Sequence, residues 1–303
     1  MRKVVESGRG RSLGEACRLL GYTRQAFYKG KRRVEKRAFE AEMVLQEVGR
    51  LRKEQKRIGV RKLHHMMSGF AREHSVEIGR DALYDLLREH SLLVRKRRRR
   101  SPRTTFSGLW MKSFPNLAKG FEPTRGNQLW VSDITYIRVR EGFAYLSLIT
   151  DAYSRKIVGY CLSEDLTARG PAAALRMALR DNPERDGLIH HSDRGLQYYS
   201  SRYMKLIGKR IRVSMSEKSD PLENAIAERV NGILKQELLR KSFKSFSDAA
   251  RQVGQAVNTY NHLRPHLSID MLTPAEAHAR TGELKKRWKK YYPAKTFHSQ
   301  AAA

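Results

Sequence analysis

Three acidic residues define the chemistry open to this sequence. Asp133 lies inside the β-branched and aromatic run Trp130-Val131-Ser132-Asp133-Ile134-Thr135-Tyr136-Ile137. Asp193 follows Leu188-Ile189 in His190-His191-Ser192-Asp193-Arg194-Gly195, and Glu228 falls in the helix-prone segment 223–239. A buried, unpaired carboxylate is expensive, so an acid within a strand calls for a partner. Strand alternation puts Val131, Asp133, Thr135 and Ile137 on one face, an acid among apolar neighbours unless a cation sits nearby. Asp193 occupies the kind of strand end where α/β proteins place functional side chains, although an Asp near a Gly is also an ordinary turn signal. Asn224, Glu228, Asn231 and Lys235 recur at helical steps and share one face, opposite Ile226, Val230, Ile233 and Leu234. A merely solvated helix face is the competing reading. All three acids are hard oxygen donors of the type preferred by Mg²⁺ or Mn²⁺. Two such ions about 4 Å apart activate a water or a 3′-hydroxyl and stabilise the leaving oxygen of an in-line phosphoryl transfer, with no covalent enzyme intermediate.

Positioning three acids requires a sheet and a helix, and both are legible. Segments 129–139, 143–150 and 157–161 read as strands, with Glu141-Gly142 as the first turn. A helix over 171–180, short strands at 188–191 and 211–214 and a long amphipathic helix over 223–239 complete a mixed α/β sheet. Ahead of it the texture is helical. Ser12 and Glu15 form a capping box for a first short helix, Gly21 breaks it, and Thr23 caps a second one over 24–29. Arg24, Gln25 and Lys29 then stand where a helix-turn-helix module meets DNA, an ordinary helical hairpin being the alternative. Helical segments over 37–55, 60–70 and 80–90 make a second small module, with Leu83, Leu86 and Leu87 as its buried stripe. The block from Arg95 to Arg103, containing Arg97, Arg98, Arg99 and Arg100, repels itself and reads as a linker or phosphate clamp. The expected organisation is helix-turn-helix (1–35), second helical DNA-binding module (36–94), basic linker (95–124), catalytic α/β core (125–280) and basic tail (281–303).

The chain of 303 residues carries 61 Lys and Arg against 31 Asp and Glu, a formal charge of +30. Such a field points to a row of phosphates and away from small-metabolite enzymes. Cys17 and Cys161 are far apart in sequence, which argues against a disulfide framework or zinc knuckle. With neither an apolar signal core nor a membrane-length apolar run, a cytoplasmic, nucleoid-associated protein without a membrane partner is expected. Arg155 and Lys235 are candidate phosphate contacts, Arg155 with a structural turn role as its alternative. Trp130 reads as core, and His190 and His191 are left unassigned. The tail from Lys285 to Tyr292 interleaves bases with aromatics, suited either to nucleic acid or to solvent.

The chain resembles the catalytic subunit of bacterial insertion-sequence transposases of the family numbered three, a branch of the retroviral-integrase superfamily. Asp193 follows Asp133 by 60 residues and Glu228 follows Asp193 by 35, similar to that family's D-D-35-E spacing, with Lys235 as the trailing base. The segments 127–137, 151–159 and 191–198, together with Tyr260-Asn261-His262-Leu263-Arg264-Pro265-His266 and Leu272-Thr273-Pro274, resemble the family's other signatures. One departure is Glu223, where the family often has Asp before Asn-Ala.

The resemblance implies an RNase H-like integrase core, catalysis by Asp133, Asp193, Glu228 and Lys235, and two Mg²⁺ or Mn²⁺ ions on the three acids. It further implies double-stranded DNA as partner, at element ends and target, and strand transfer as well as cleavage. A homo-oligomer on DNA and an upstream reading-frame product are the protein partners it implies. A non-catalytic DNA-binding protein, or an RNase H-like nuclease that does not join, are the alternatives.

Overall fold

A computed structural model of the chain describes residues 13–94, 114–217 and 224–287. The chain divides into two compact units, residues 1–54 with 59–93 and residues 55–58 with 94–303.

The first unit is helical: α1 (Leu13–Leu19), α2 (Arg24–Glu54), α3 (Val60–Met66), α4 (Ser68–Glu73) and α5 (Arg80–Glu89). Thr23 caps α2, its hydroxyl accepting the Ala26 N–H at 3.0 Å. In place of a short second helix and a separate later one, α2 then runs unbroken for 31 residues. Gly30 costs only about 1 kcal/mol inside a helix, too little to end it. The ion pairs Lys31–Glu35 (3.8 Å) and Lys36–Glu40 (3.6 Å) carry the helix across the boundary expected at 35/36. Val44, Val48, Leu63, Leu83 and Leu87 are buried, and Leu86 half-buried, in line with the predicted stripe.

The second unit is built on a five-stranded sheet of order β3-β2-β1-β4-β5. β1 (Leu129–Val139), β2 (Gly142–Asp151) and β3 (Ile157–Ser163) form the antiparallel meander, while β4 (Ile189–Ser192) and β5 (Arg212–Met215) pair in parallel beyond β1. Between β3 and β4 runs α6 (Arg169–Asp181), and α7 (Leu196–Tyr199) and α8 (Ser201–Ile207) precede β5. After β5 come α9 (Ala225–Ile233), a π-helical turn (Leu234–Leu238), α10 (Phe246–His262) and α11 (Pro274–His278). Trp130, Ile149 and Val158 face Leu175, Tyr198, Tyr203 and Ile207 on one side of the sheet. Ile137, Leu146 and Leu148 face Val230, Leu234, Val253 and Tyr260 on the other, which makes three layers.

Both ends of the unit extend past the expected core. Met215 N–H donates to the Pro115 carbonyl (3.3 Å) and Leu117 N–H to Ser214 Oγ (2.8 Å), so residues 114–118 lie along β5 rather than in a linker. Gly282 N–H reaches the Thr124 carbonyl (2.8 Å), tying the first part of the expected tail to the core. The basic block 95–103, with Arg97, Arg98, Arg99 and Arg100, and the aromatic part of the tail lie outside the described residues. No helix of the described residues is long and apolar enough to cross a membrane.

The packing of α6 onto β3 depends on Gly159. A Cβ there would lie well inside contact distance of the Ala174 carbonyl oxygen and 2.9 Å from Ala178 Cβ. Gly159→Ala is expected to destabilise the core by about 2–3 kcal/mol through overpacking, read as a lowered urea midpoint with unchanged m. An unmoved midpoint would show that α6 can back away freely.

Candidate active site

The register of the sheet assembles the site. β1 and β4 are parallel neighbours whose last paired residues are Ser132 and Ser192. The next residue on each is an acid, Asp133 and Asp193, so two carboxylates separated by 60 positions stand on adjacent chains, about 5 Å apart at the backbone. Asp193 leaves the strand in a tight turn in which its Oδ1 accepts the Gly195 N–H at 3.0 Å. A Cβ on Gly195 would meet that same oxygen at 3.0 Å, which is the close approach that calls for glycine.

The third element is laid across β1 by hydrogen bonds from one helix face. Asn224 Nδ2 donates to the Ser132 carbonyl (3.0 Å), Asn231 Nδ2 to Asp133 Oδ2 (2.7 Å) and Lys235 Nζ to Thr135 Oγ1 (3.1 Å). Glu228 lies between these anchors on the same face, at the start of α9, and is exposed. The face read from spacing is therefore a docking face, not the wet back of a helix. The acids do not close into a ligand set: among the described residues no three His, Cys, Asp or Glu side chains are grouped to hold a metal. Asp193 and, more weakly, the exposed Glu228 both act on Asp133.

Electrostatics mark the pair strongly. Burial, then the neighbouring Asp193, raises the Asp133 carboxyl to about 7, even though Asn231 and the Ile134 N–H (2.9 Å) both stabilise its ionised form. Asp193 is also raised by burial, against the Gly195 N–H. Burial lowers the Lys235 ammonium, while Asp133 holds its charge. Two hydrogen bonds and a nearby ammonium leave Asp133 largely undercompensated. Hard oxygen donors this close, each pushed towards protonation, fit a divalent cation.

Other predicted residues take different places. Arg155 sits in the β2–β3 turn at φ 67° with its guanidinium donating to the Ala152 carbonyl, and burial lowers its pKa. Tyr260 and Asp151 oppose that shift only in part, and the contact to the Ala152 carbonyl is of the kind the structural alternative expects. His190 is buried against Tyr203 Oη (2.6 Å), and burial, then His191, lowers it to about 3, so it is neutral. His191 is buried on Ser214 Oγ (2.8 Å). Trp130 is core. Arg24, Gln25 and Lys29 are exposed in the first unit, and Glu223 lies outside the described residues. Two residues the sequence did not mark for the site belong to it. Asn231 orients Asp133, and its place on the Glu228 face was the available signal. Tyr198, buried with its hydroxyl 3.1 Å from Ser132 Oγ, is raised well above its ordinary pKa by burial and then by Asp193. Nothing local in the sequence announces that.

A five-stranded mixed sheet with one acid inside its central strand, a second just past the end of the parallel neighbour and a third on the helix laid across them defines an integrase-type core, the DDE class of polynucleotidyl transferase. In agreement, residues 123–221 match the family described as integrase core domain, and residues 209–274 match a second family of the same description. The chain is 37% identical over 207 residues to the insertion element IS600 31 kDa protein of Shigella sonnei, covering 67% of this chain and 76% of that one. It is 34% identical over 168 residues to the transposase of IS904 from Lactococcus lactis (54% and 66%). With the putative transposase of IS986/IS6110 from Mycobacterium tuberculosis it shares 32% over 167 residues (52% and 60%). The chain thus spans about three fifths to two thirds of the length of these last two relatives. The HTLV-2 integrase catalytic core domain, solved in complex with magnesium, superposes at a TM-score of 0.41 with 18% identity over 52% of this chain and 99% of that one. The chain belongs to the insertion-sequence transposases with an integrase-type core.

A pH signature follows from Asp133. Its folded pKa lies above the ordinary 3.8, so between 3.8 and about 7 the folded chain keeps a proton that the unfolded chain releases, and stability falls as pH rises through that window. In the absence of divalent ions, Asp133→Asn is expected to melt above the parent at about pH 8, with the gap closing towards about pH 5. A gap independent of pH would show that Asp133 titrates normally.

Proposed function

We propose that this chain cuts DNA at the ends of an insertion element and joins the freed ends to target DNA, with divalent ions held by Asp133, Asp193 and Glu228. The observation that carries the reading is the pair Asp133 and Asp193, each one residue beyond the last β1–β4 pairing, beneath a helix pinned to β1 on both sides of Glu228. Bound there, two Mg²⁺ or Mn²⁺ ions supply the charge that activates a water or 3′-hydroxyl and stabilises the leaving oxygen.

The residues of the chain do the rest. Asn231 and the Ile134 N–H each hold one carboxylate oxygen of Asp133 and so fix the plane of the group, and the Gly195 N–H holds Oδ1 of Asp193. Lys235, beside Thr135 on the strand of Asp133, meets a DNA phosphate with a single positive charge. The charge of +30 draws the duplex in, and the exposed Arg24, Gln25 and Lys29, with Arg97, Arg98, Arg99 and Arg100, contribute contacts outside the core. Two element ends are brought together by a homo-oligomer, to which an upstream-frame product adds a further DNA-binding segment.

Strand transfer with paired element ends in Mg²⁺ tests this. Asp133→Asn, Asp193→Asn and Glu228→Gln are each expected to lower joined product by about 10²-fold or more while leaving duplex binding within about 3-fold. Cleavage without joined products would make the chain a nuclease. Full joining by any of the three would remove that acid from the site.

A further inference from the structure

The helix that carries Glu228 changes character before it ends. Leu234–Leu238 is a π-helical turn, closed by the Leu239 N–H on the Leu234 carbonyl at 2.7 Å. Such turns are rare and recur at functional sites. Lys235 and Glu237 lie two residues apart and so point to roughly opposite sides of this turn. Lys235 reaches Thr135 on β1, and Glu237 reaches Arg264, just past the end of α10. Arg264 Nε donates to Glu237 Oε2 and Nη2 to Oε1, each at 2.9 Å. Arg264 is 2% exposed, its Nη1 lies 3.0 Å from His266 Nε2, and the His266 ring stands edge-on to Tyr260 at 4.8 Å. A guanidinium walled in like this offers its fork in one direction only.

We propose that the Arg264–Glu237 pair is a positioning device that holds the π-helical turn so that Lys235 stands beside the strand of Asp133, at the DNA phosphate. The inference rests on the reading of Lys235 as a phosphate contact. A stability role alone explains the pair poorly, because burying a guanidinium costs desolvation that an apolar pair of similar volume avoids. What an apolar pair cannot supply is a bidentate, directional hold on one turn.

A double-mutant cycle decides the matter. Arg264→Lys, which keeps the charge but loses the fork, and the double variant Glu237→Leu/Arg264→Met, which leaves no orphaned charge, are each made with Lys235 and with Lys235→Ala. Single-turnover joining in Mg²⁺ and affinity for a short duplex in EDTA are then measured. Both variants are expected to slow joining about 10-fold and to weaken binding when Lys235 is present, but to change either by less than about 2-fold when it is Ala. The double variant is expected to melt within about 5 °C of its parent. Equal losses in both backgrounds, no loss in either, a double variant that unfolds, or Lys235→Ala joining normally would each overturn the proposal. Failure of the functional reading itself shows separately, as joining by Asp133→Asn.

Discussion

Two carboxylates forced side by side govern this molecule. Asp133, inside β1, and Asp193, just past the end of β4, each follow the last β1–β4 pair; burial pushes both towards protonation, and the neighbouring Asp193 adds to the push on Asp133. Nothing in a strand requires an acid there, and a sheet would be more stable with an amide or an apolar residue. The surrounding layers make the arrangement tolerable. Ile137, Leu146 and Leu148 bury one face against α9 and α10, Trp130 and Ile149 bury the other against α6 and α8, and the apolar area removed from water outweighs the cost of one strained pair.

The helix layer has a second task besides covering the sheet. α9 reaches β1 through three polar anchors rather than through apolar contact alone, and polar anchors specify register. Sliding the helix by one residue would break all three and turn Glu228 away. Apolar packing of Val230, Ile233 and Leu234 supplies the adhesion, and the amides and the ammonium supply the address.

Much of this was legible in the sequence because it is local. The meander, α6 and the amphipathic helix follow from periods of two and 3.6, and the shared face of Asn224, Glu228, Asn231 and Lys235 from the same arithmetic. Parallel pairing of β1 with β4 is a contact across 60 residues, and no spacing rule states it, so the side-by-side acids rested on resemblance until the register was seen. α2 escaped for a different reason: segments 24–29 and 37–55 read as two helices, and the ion pairs that run through the gap between them lie one turn apart on an exposed surface. Arg155 shows the limit of reading charge as function. Its backbone at φ 67° and its guanidinium on the Ala152 carbonyl are properties of a turn, and composition alone cannot separate an arginine that holds a turn from one that holds a phosphate.

The contrast between the whole and the site is the last physical point. A charge of +30 attracts DNA from a distance, but that field is screened within about 8 Å in physiological salt. On the proposed reading a phosphate meets Asp133 and Asp193, and each of them that is ionised costs, at about 4 Å, on the order of 4 kcal/mol at an effective dielectric of 20. Distant arginines cannot offset that. Lys235 brings a single positive charge, matching one acid and not two, and burial already weakens its hold on that charge. A divalent cation among the acids would offset both charges at once and favour the ionised carboxylates that burial disfavours, and hard oxygen donors suit it. Recruitment and chemistry are thus separated by distance: the surface decides whether DNA arrives, and the few ångströms around Asp133 decide whether its backbone can approach.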